Sequence, residues 1–348
     1  MADLLQPLME EIRSCVETGR GIRIAAGGSK GFLGERQPAD LHELDVSGHQ
    51  GVISYEPKEL VLRARAGTPL AELRQLLASE GQLLGFEPPD FGEPATLGGA
   101  VAAGTSGPRR PWAGAVRDFV LGAGLITGQG EHLKFGGQVM KNVAGFDVSR
   151  LLCGAMGTLG VITDVSLKVL PAPKAETTLV REMSVADAHR AMIAVSNTAM
   201  PVSATCYANG RLSVRLSGSE AGVKVAAEKL GGDIVGNEFW DEVANLRIEA
   251  LAVATRLWRL SVPRTSTALL GESQVIEWGG ALRWLADPQA DPRQALDEGH
   301  ATLYRAPKED QVPRFTPLTG VLLRLHHRLK QTFDPAGIMN PGRLYRDL

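Results

Sequence analysis

The spacing of apolar side chains changes several times along the chain, and each change marks an element. Residues 3–18 repeat apolar positions at helical spacing and stop before Gly19, which predicts an amphipathic helix. Ile22-Arg-Ile-Ala-Ala26 is short and apolar, as a buried strand is, and residues 52–55 and 61–66 read as two more strands about a turn at Pro57. Thr68 stands where a cap is needed, Pro69 at the first helical position, and Leu70, Leu73, Leu76 and Leu77 give the helix one apolar face that ends at Gly81. Residues 119–127 and 131–135 flank Gly128-Gln-Gly130 as a hairpin. A helix is expected before Gly154, and the strand 165–170 closes this half ahead of Pro171 and Pro173.

Beyond those prolines the pattern alternates differently. Residues 178–183 read as a strand, Ser184-Val-Ala-Asp187 opens a helix that reaches about residue 198, and the strands 202–207 and 211–216 meet at Asn209-Gly210. Ser219 then caps a helix ending at Gly231-Gly232, so the order is strand, helix, strand, strand, helix, strand, that of a ferredoxin-like unit. Residues 258–262, 273–278 and 301–304 add strands, 287–292 is a loop, and 319–331 is a helix.

Composition narrows the classes. A chain of 348 residues with 44% apolar and 22% charged content has room for two domains with full cores. A formal net charge of -2 without a long block of like charge argues against a nucleic-acid surface or a polybasic membrane anchor. Cys15, Cys153 and Cys206 are odd in number and scattered, which suits buried thiols in a reducing compartment and no self-contained zinc or iron–sulfur site. Acidic Asp3, Glu10 and Glu11 stand where a secretory signal needs basic charge, and no stretch approaches the ~20 apolar residues of a membrane span. A cytoplasmic location is expected, with membrane contact only through a partner.

Glycine is the anomaly. There are 40 glycines in 348 residues, where about 7% is usual, and 27 of them precede residue 171, while four of the five tryptophans follow residue 200. Three stretches concentrate the signal. Gly27-Gly-Ser-Lys-Gly-Phe-Leu-Gly34 follows a strand and offers bare amides, a hydroxyl and a cation, which suits a pyrophosphate; it is neither a Walker loop nor the Rossmann fingerprint. Residues 93–110, with Gly98, Gly99, Gly104 and Gly107, could seat an anion on converging amides or be an ordinary glycine-rich turn. The third stretch runs from Phe135 through Lys-Asn-Val-Ala-Gly-Phe-Asp147 to Gly154-Ala-Met-Gly-Thr-Leu-Gly-Val-Ile-Thr163.

The order Gly-Gly-Ser-Lys-Gly, Ala-Thr-Leu-Gly-Gly-Ala, Lys-Asn-Val-Ala-Gly-Phe-Asp, Gly-Thr-Leu-Gly-Val-Ile-Thr resembles the FAD-binding domain of the vanillyl-alcohol-oxidase and p-cresol-methylhydroxylase (PCMH) flavoproteins. Gly104-Thr-Ser-Gly-Pro-Arg-Arg-Pro111, Gly114-Ala-Val-Arg-Asp-Phe-Val-Leu-Gly122 and Phe333-Asp-Pro-Ala-Gly-Ile-Met-Asn-Pro-Gly342 extend the likeness over the whole chain, toward flavin subunits of three-part glycolate dehydrogenases. The resemblance implies an α+β protein: a two-subdomain PCMH-type FAD-binding domain (1–173), a smaller ferredoxin-like cap domain (174–332) that covers the isoalloxazine ring, and a tail (333–348) returning to the FAD domain. It implies that Gly27, Gly28, Ser29, Lys30, Gly31 and Phe32, with Ala95, Thr96, Leu97, Gly98 and Gly99, hold the pyrophosphate and ribityl region. Gly104, Ser106, Gly107, Val161 and Ile162 would border the adenine and flavin ends, and Asn340 and Gly342 would return from the C-terminus. Arg109, Lys141 and Asn142 are weaker candidates, each equally a solvated or capping residue.

Catalytic subunits of that group carry His-x-x-Gly-Asp-Gly-Asn in the cap. It is absent here: His42, His49, His132, His189, His300, His326 and His327 all lack that context, so no catalytic base and no metal site is assigned. The candidate loops hold no histidine for flavin attachment, and Cys153 is expected on a helix, so FAD is expected to be non-covalent. The reading that follows from the resemblance is an FAD-binding subunit of a glycolate dehydrogenase, glyoxylate being the product. It would take part in electron transfer between a sister flavoprotein that meets the small 2-hydroxy acid and an iron–sulfur subunit. Two alternatives stay open, a self-sufficient hydroxy-acid dehydrogenase and a scaffold whose FAD serves assembly only. Anaerobic glycolate or lactate bleaches the isolated chain only under the first of these alternatives. Complex activity survives loss of this FAD only under the second.

Overall fold

The first helix runs Leu5–Thr18 and stops at Gly19, whose left-handed φ of 66° lets its amide return to Cys15 and Val16. One side of that helix, Leu8, Ile12 and Cys15, is buried against Ile22, Leu44, Val46, Ile126, Val161, Ile338 and Met339. In the computed structural model, residues 4–92, 94–137 and 147–348 are described. Lys141 and Asn142 lie outside them, as does Glu93. Two compact units result: Met1–Thr105 with Ala115–Pro171 and Pro317–Leu348, and Ser106–Gly114 with Ala172–Thr316. These divisions fall elsewhere than 173/174 and 332/333, because Ser106–Gly114 groups with the second unit and Pro317–Leu348 with the first.

In unit 1, β1 (Ile22–Ala25) pairs in parallel with β2 (His42–Asp45). On its other side β1 exchanges main-chain bonds with the C-terminal segment: Ile22 N donates to Ile338 O (2.7 Å) and Asn340 N to Ile22 O (3.0 Å). An antiparallel sheet of five strands follows, from β3 (Val52–Glu56), β4 (Val61–Arg65), β6 (Val120–Ile126), β7 (His132–Gly136) and β8 (Val161–Lys168), in the order β3-β4-β8-β6-β7. Central β8 is buried from Val161 to Leu167. A small ladder joins β5 (Gln82–Leu83) to β9 (Leu170–Pro171). The helix Leu70–Ser79 begins one residue later than a Thr68 cap requires. Thr68 instead donates to Arg65 O (2.7 Å) and accepts from Gly51 N (2.8 Å), so its hydroxyl ties two loops together.

Unit 2 is one antiparallel sheet of eight strands: β10 (Ala175–Glu182), β11 (Val202–Ala208), β12 (Arg211–Gly218), β13 (Asp233–Val235), β14 (Leu257–Ser261), β15 (Val275–Glu277), β16 (Leu282–Ala286) and β17 (His300–Arg305). The spatial order is β13-β10-β12-β11-β15-β16-β14-β17, and its first four strands, with the helices Val185–Ser196 and Glu220–Leu230, have the ferredoxin-like order. Ser184 and Ser219 cap those helices by accepting from Asp187 N and Gly222 N. Pairing register separates the two faces. Leu179, Leu212, Val214, Leu216 and Ile276 lie under Ala188, Met192, Val195, Val223 and Ala226 of the helices. Glu176, Thr178, Ser213, Arg215 and Ser217 occupy the other face.

Candidate functional site

The loop after β1 is built to leave its main chain uncommitted. Gly28 has a φ of 73°, a left-handed turn that glycine adopts freely, and Gly31 N closes back on Gly28 O (2.9 Å). Among the described residues, no acceptor takes the amides of Gly27, Gly28, Ser29 or Lys30. Successive donors of this kind form an anion-binding concavity. A Cβ on Gly28 would meet nothing within 4 Å, whereas one on Gly27 would lie 1.4 Å from Pro94 O, so glycine at 27 admits the second glycine-rich stretch and glycine at 28 admits whatever lies outside.

Lys30 supplies the charge. Its ammonium is half-buried, donates to Ser29 Oγ (3.3 Å) and lies 5.7 Å from the Phe91 ring centroid. Burial lowers its pKa to about 8; Asp90 opposes that shift and Arg74 adds to it. Arg74 and Asp90 are themselves paired at 2.5 Å, which limits how far Asp90 can neutralise Lys30. Phe32 is exposed and meets Phe91 edge to face at 5.3 Å. Arg343 donates to Gly31 O (3.0 Å) and, at 3.4 Å, to Lys30 O, pinning the loop from behind. Asp90, Phe91, Pro94 and Arg343 were not anticipated; Asp90-Phe-Gly92, directly ahead of the second glycine stretch, was the available signal.

In the second stretch glycine serves a different purpose from the one expected. Leu97–Ala103 is a helix capped by Thr96, whose hydroxyl accepts from Gly99 N (3.2 Å). Leu97 N donates to Thr68 O (2.9 Å), Gly98 N to Ala66 O (2.7 Å) and Leu70 N to Ala95 O (2.9 Å). The amides of Gly98 and Gly99 are therefore spent within the protein, and a Cβ on Gly98 would lie 2.7 Å from that of Ala66. Close packing, not amide donation, requires glycine at 98. Gly104 ends the helix in the left-handed region (φ 66°), and Gly154 N and Met156 N donate to Val101 O (3.0 Å) and Ala102 O (2.8 Å). A Cβ on Gly34 would be 2.9 Å from Met156 Sδ. Those described parts of the three glycine-rich stretches that belong to unit 1 thus meet there.

The remaining candidates divide. Val161 and Ile162 lie on β8, with the Val161 side chain inside the core, so only its main chain is available. Asn340, at φ 40° and 6% exposed, accepts from Ile24 N (2.9 Å) and donates to Met156 O (2.7 Å). Its side chain is a clasp. Gly342 N donates to Leu348 O (2.6 Å). Ser106 and Gly107 belong to unit 2, where Gly107 O accepts from Trp278 Nε1 (3.2 Å). Arg109, considered for phosphate, is buried and bonded to Glu176 Oε2 at 2.7 Å, so its charge is already answered. Cys153 follows the four-residue helix Val148–Leu151 and lies beyond it, in a turn; burial pushes its thiol up to about 12, which keeps it protonated.

Residues 6–136 match a family model described as an FAD binding domain, and residues 316–344 match the C-terminal domain of FAD linked oxidases. The chain is 45% identical over 351 residues to glycolate oxidase subunit GlcE of Escherichia coli (strain K12), covering 99% of both chains. It is 30% identical over 130 residues to glycolate oxidase subunit GlcD of Bacillus subtilis (strain 168), 37% of this chain and 27% of that one. Among solved structures, p-cresol methylhydroxylase with substrate bound superposes with a TM-score of 0.73 at 14% identity, over 99% of this chain and 88% of that chain. The fold is therefore the PCMH type.

Proposed function

Because this chain belongs to the family of glycolate oxidase subunit GlcE, we propose that unit 1 holds FAD without a covalent bond and that the chain is one flavin-carrying subunit of a complex oxidising glycolate to glyoxylate. The observation that supports this most is the run of amides from Gly27 to Lys30 with no acceptor among the described residues, beside an ammonium whose charge burial disfavours. A diphosphate answers both at once.

Bound FAD supplies the electron-accepting chemistry. The chain's own residues position it and compensate its charge. Gly28, Ser29 and Lys30 donate main-chain hydrogen bonds, and the Lys30 ammonium balances phosphate charge. Ala95, Gly99 and Gly104 give backbone unobstructed by large side chains, and Val161 and Ile162 offer main-chain groups. Asn340 keeps β1 and Met156 in place behind the loop. Covalent attachment through Cys153 is disfavoured by the protonated thiol. Unit 2 is read as the cap, a sister flavoprotein as the subunit meeting substrate, and an iron–sulfur subunit as the next electron carrier. None of the described helices is long and apolar enough to cross a membrane, so any membrane attachment is assigned to partners.

The test is a flavin count on the purified chain before and after acid precipitation. One FAD per chain, released into the supernatant, is expected. A colourless chain that stays colourless after incubation with excess FAD overturns the assignment. Co-purification with endogenous partners, followed by an iron count, tests the complex.

A further inference from the structure

Two steps along the strands of unit 2 assemble a second cluster of chemistry-bearing groups, on the face away from Leu179, Val214 and Ile276. Arg259 of β14 is opposite Trp284 of β16 and Thr302 of β17. Glu277 and His300 fall on the same face by alternation. Trp284 Nε1 donates to Glu277 Oε1 (2.8 Å), and the Trp284 ring meets Tyr304 edge to face at 5.0 Å. Trp278, the residue after Glu277, stacks against two guanidiniums, Arg110 at 4.4 Å and Arg259 at 4.8 Å from its ring centroid.

The backbone under this arrangement is strained. Trp278 has a φ of 57°, followed by Gly279 at 67° and Gly280 at 98°. A bulky residue in the left-handed region persists only where its surroundings hold it. Trp278 Nε1 bonded to Gly107 O and Gly279 N bonded to Thr205 Oγ1 (3.0 Å) do so.

Arg259 is the group that the fold does not pair. Its guanidinium is half-buried, and among the described residues it has no hydrogen-bond acceptor; it has the Trp278 ring and the fields of Tyr304 and Glu277. Arg283 and Arg305 of the same sheet place terminal nitrogens on main-chain carbonyls, although the Nε of each has no partner among the described residues. Arg283, fully buried, donates to Ser266 O and Ala268 O, and Arg215 donates to Ser203 Oγ (3.0 Å) near Glu176. Unused donors on a half-buried cation carry a desolvation cost that a bound acceptor removes. Burial and then Arg259 lower the His300 pKa, which places that imidazole in the field of the guanidinium. The planar guanidinium fork matches a carboxylate.

We propose that unit 2 carries a binding site for a small monocarboxylate, held bidentately by the Arg259 guanidinium, with Trp278 stacked on that guanidinium and Tyr304 and His300 near it. Naming the ligand as a 2-hydroxy or 2-oxo acid rests on the reading of the preceding subsection; the anion site does not. Arg259 is then a binding residue of this chain, whichever subunit performs the oxidation.

The test titrates the full-length, flavin-containing protein with oxamate, following tryptophan emission, because Trp278 touches Arg259. Oxamide, uncharged and of similar size, is the control. Saturable quenching by oxamate and none by oxamide is expected. Arg259→Met should weaken oxamate about ten- to a hundredfold, and Arg259→Lys, which keeps charge but loses the fork, by less. Flavin content and unfolding midpoint should stay near those of the wild type. If the methionine variant does not fold, the lysine variant carries the test. Wild-type protein that fails to bind oxamate, oxamide that binds as tightly, or folded variants with wild-type affinity would each overturn the proposal. Protein that binds oxamate but never flavin would instead fail the reading of unit 1.

Discussion

Unit 1 removes side chains where unit 2 buries charges. Around the loop 27–34, backbone meets backbone because Gly27, Gly98 and Gly104 carry no Cβ, and the polar groups left over are main-chain amides. On the polar face of unit 2, Glu176 bridges Arg109 (2.7 Å) and approaches Arg215 (3.9 Å), Ser217 donates to Glu176 (2.5 Å), and the group left over is a side chain, Arg259. The difference teaches that one unit is vulnerable to added volume and the other to removed charge. All five tryptophans lie in unit 2, since Trp112 is in Ser106–Gly114, so indole emission reports that unit and flavin fluorescence the other.

The largest effect is expected from Gly27→Val, whose Cβ would sit 1.4 Å from Pro94 O. Unit 1 should lose about 4 kcal/mol or more, with its flavin, while the indole transition in urea keeps its midpoint. Normal flavin content would break the contrast. Next, Glu176→Leu leaves Arg109 and Arg215 uncompensated and should cost unit 2 about 3–5 kcal/mol, read from the indole transition alone. Acid should mimic it. Burial by itself raises the Glu176 pKa, but Arg215, Ser217 and Arg109 outweigh that and hold it below the ordinary value. The stabilisation is present above the unfolded pKa and is lost as pH falls through the lower folded one.

A smaller loss, about 2 kcal/mol, is expected from Asn340→Ala, which leaves Ile24 N and Met156 O without their partner. It should appear in the flavin-reported melt only. The smallest effect belongs to Lys30. Its folded pKa, about 8, lies below the unfolded value, so in flavin-free protein stability should rise with pH between about 8 and the unfolded lysine pKa. An anion binds the protonated form better, so flavin affinity should fall as pH rises through about 8, by a factor of a few, about 0.2–1 kcal/mol. Binding isotherms of wild type and Lys30→Met across that range check it; an unchanged slope in the variant would remove Lys30 from the account.

Much of this was legible where local chemistry decides. The Asn209-Gly210 hairpin, with φ of 51° and 76°, and the Ser184 and Ser219 caps stand as their residue types require. That the three glycine stretches come together was implied by the family resemblance their order carries. Elements set by long-range pairing were not. The strand β2 reads His-Glu-Leu-Asp, too polar to announce itself, and exists because β1 needs a parallel neighbour. Strand β16 follows the left-handed turn at 278–280, which no Asn-Gly pair advertises. Among candidate site residues, Gly98 was found for the wrong reason, and Asn340 proved to be a clasp. Arg259 gave no signal in sequence, because an arginine becomes conspicuous only when its neighbours across the sheet fail to supply an acceptor.

The bond from Ile24 N to Asn340 joins positions 316 residues apart, while most of unit 2 is the unbroken run Ala172–Thr316 between them. As the chain leaves the ribosome, β1 has its upstream half of unit 1 early but keeps one edge unpaired until Ile338–Asn340 emerge. Unit 2 has by then been fully translated and has had time to fold. Completion of the edge behind the loop after β1 consequently waits until Ile338–Asn340 have been made, and cofactor loading waits with it.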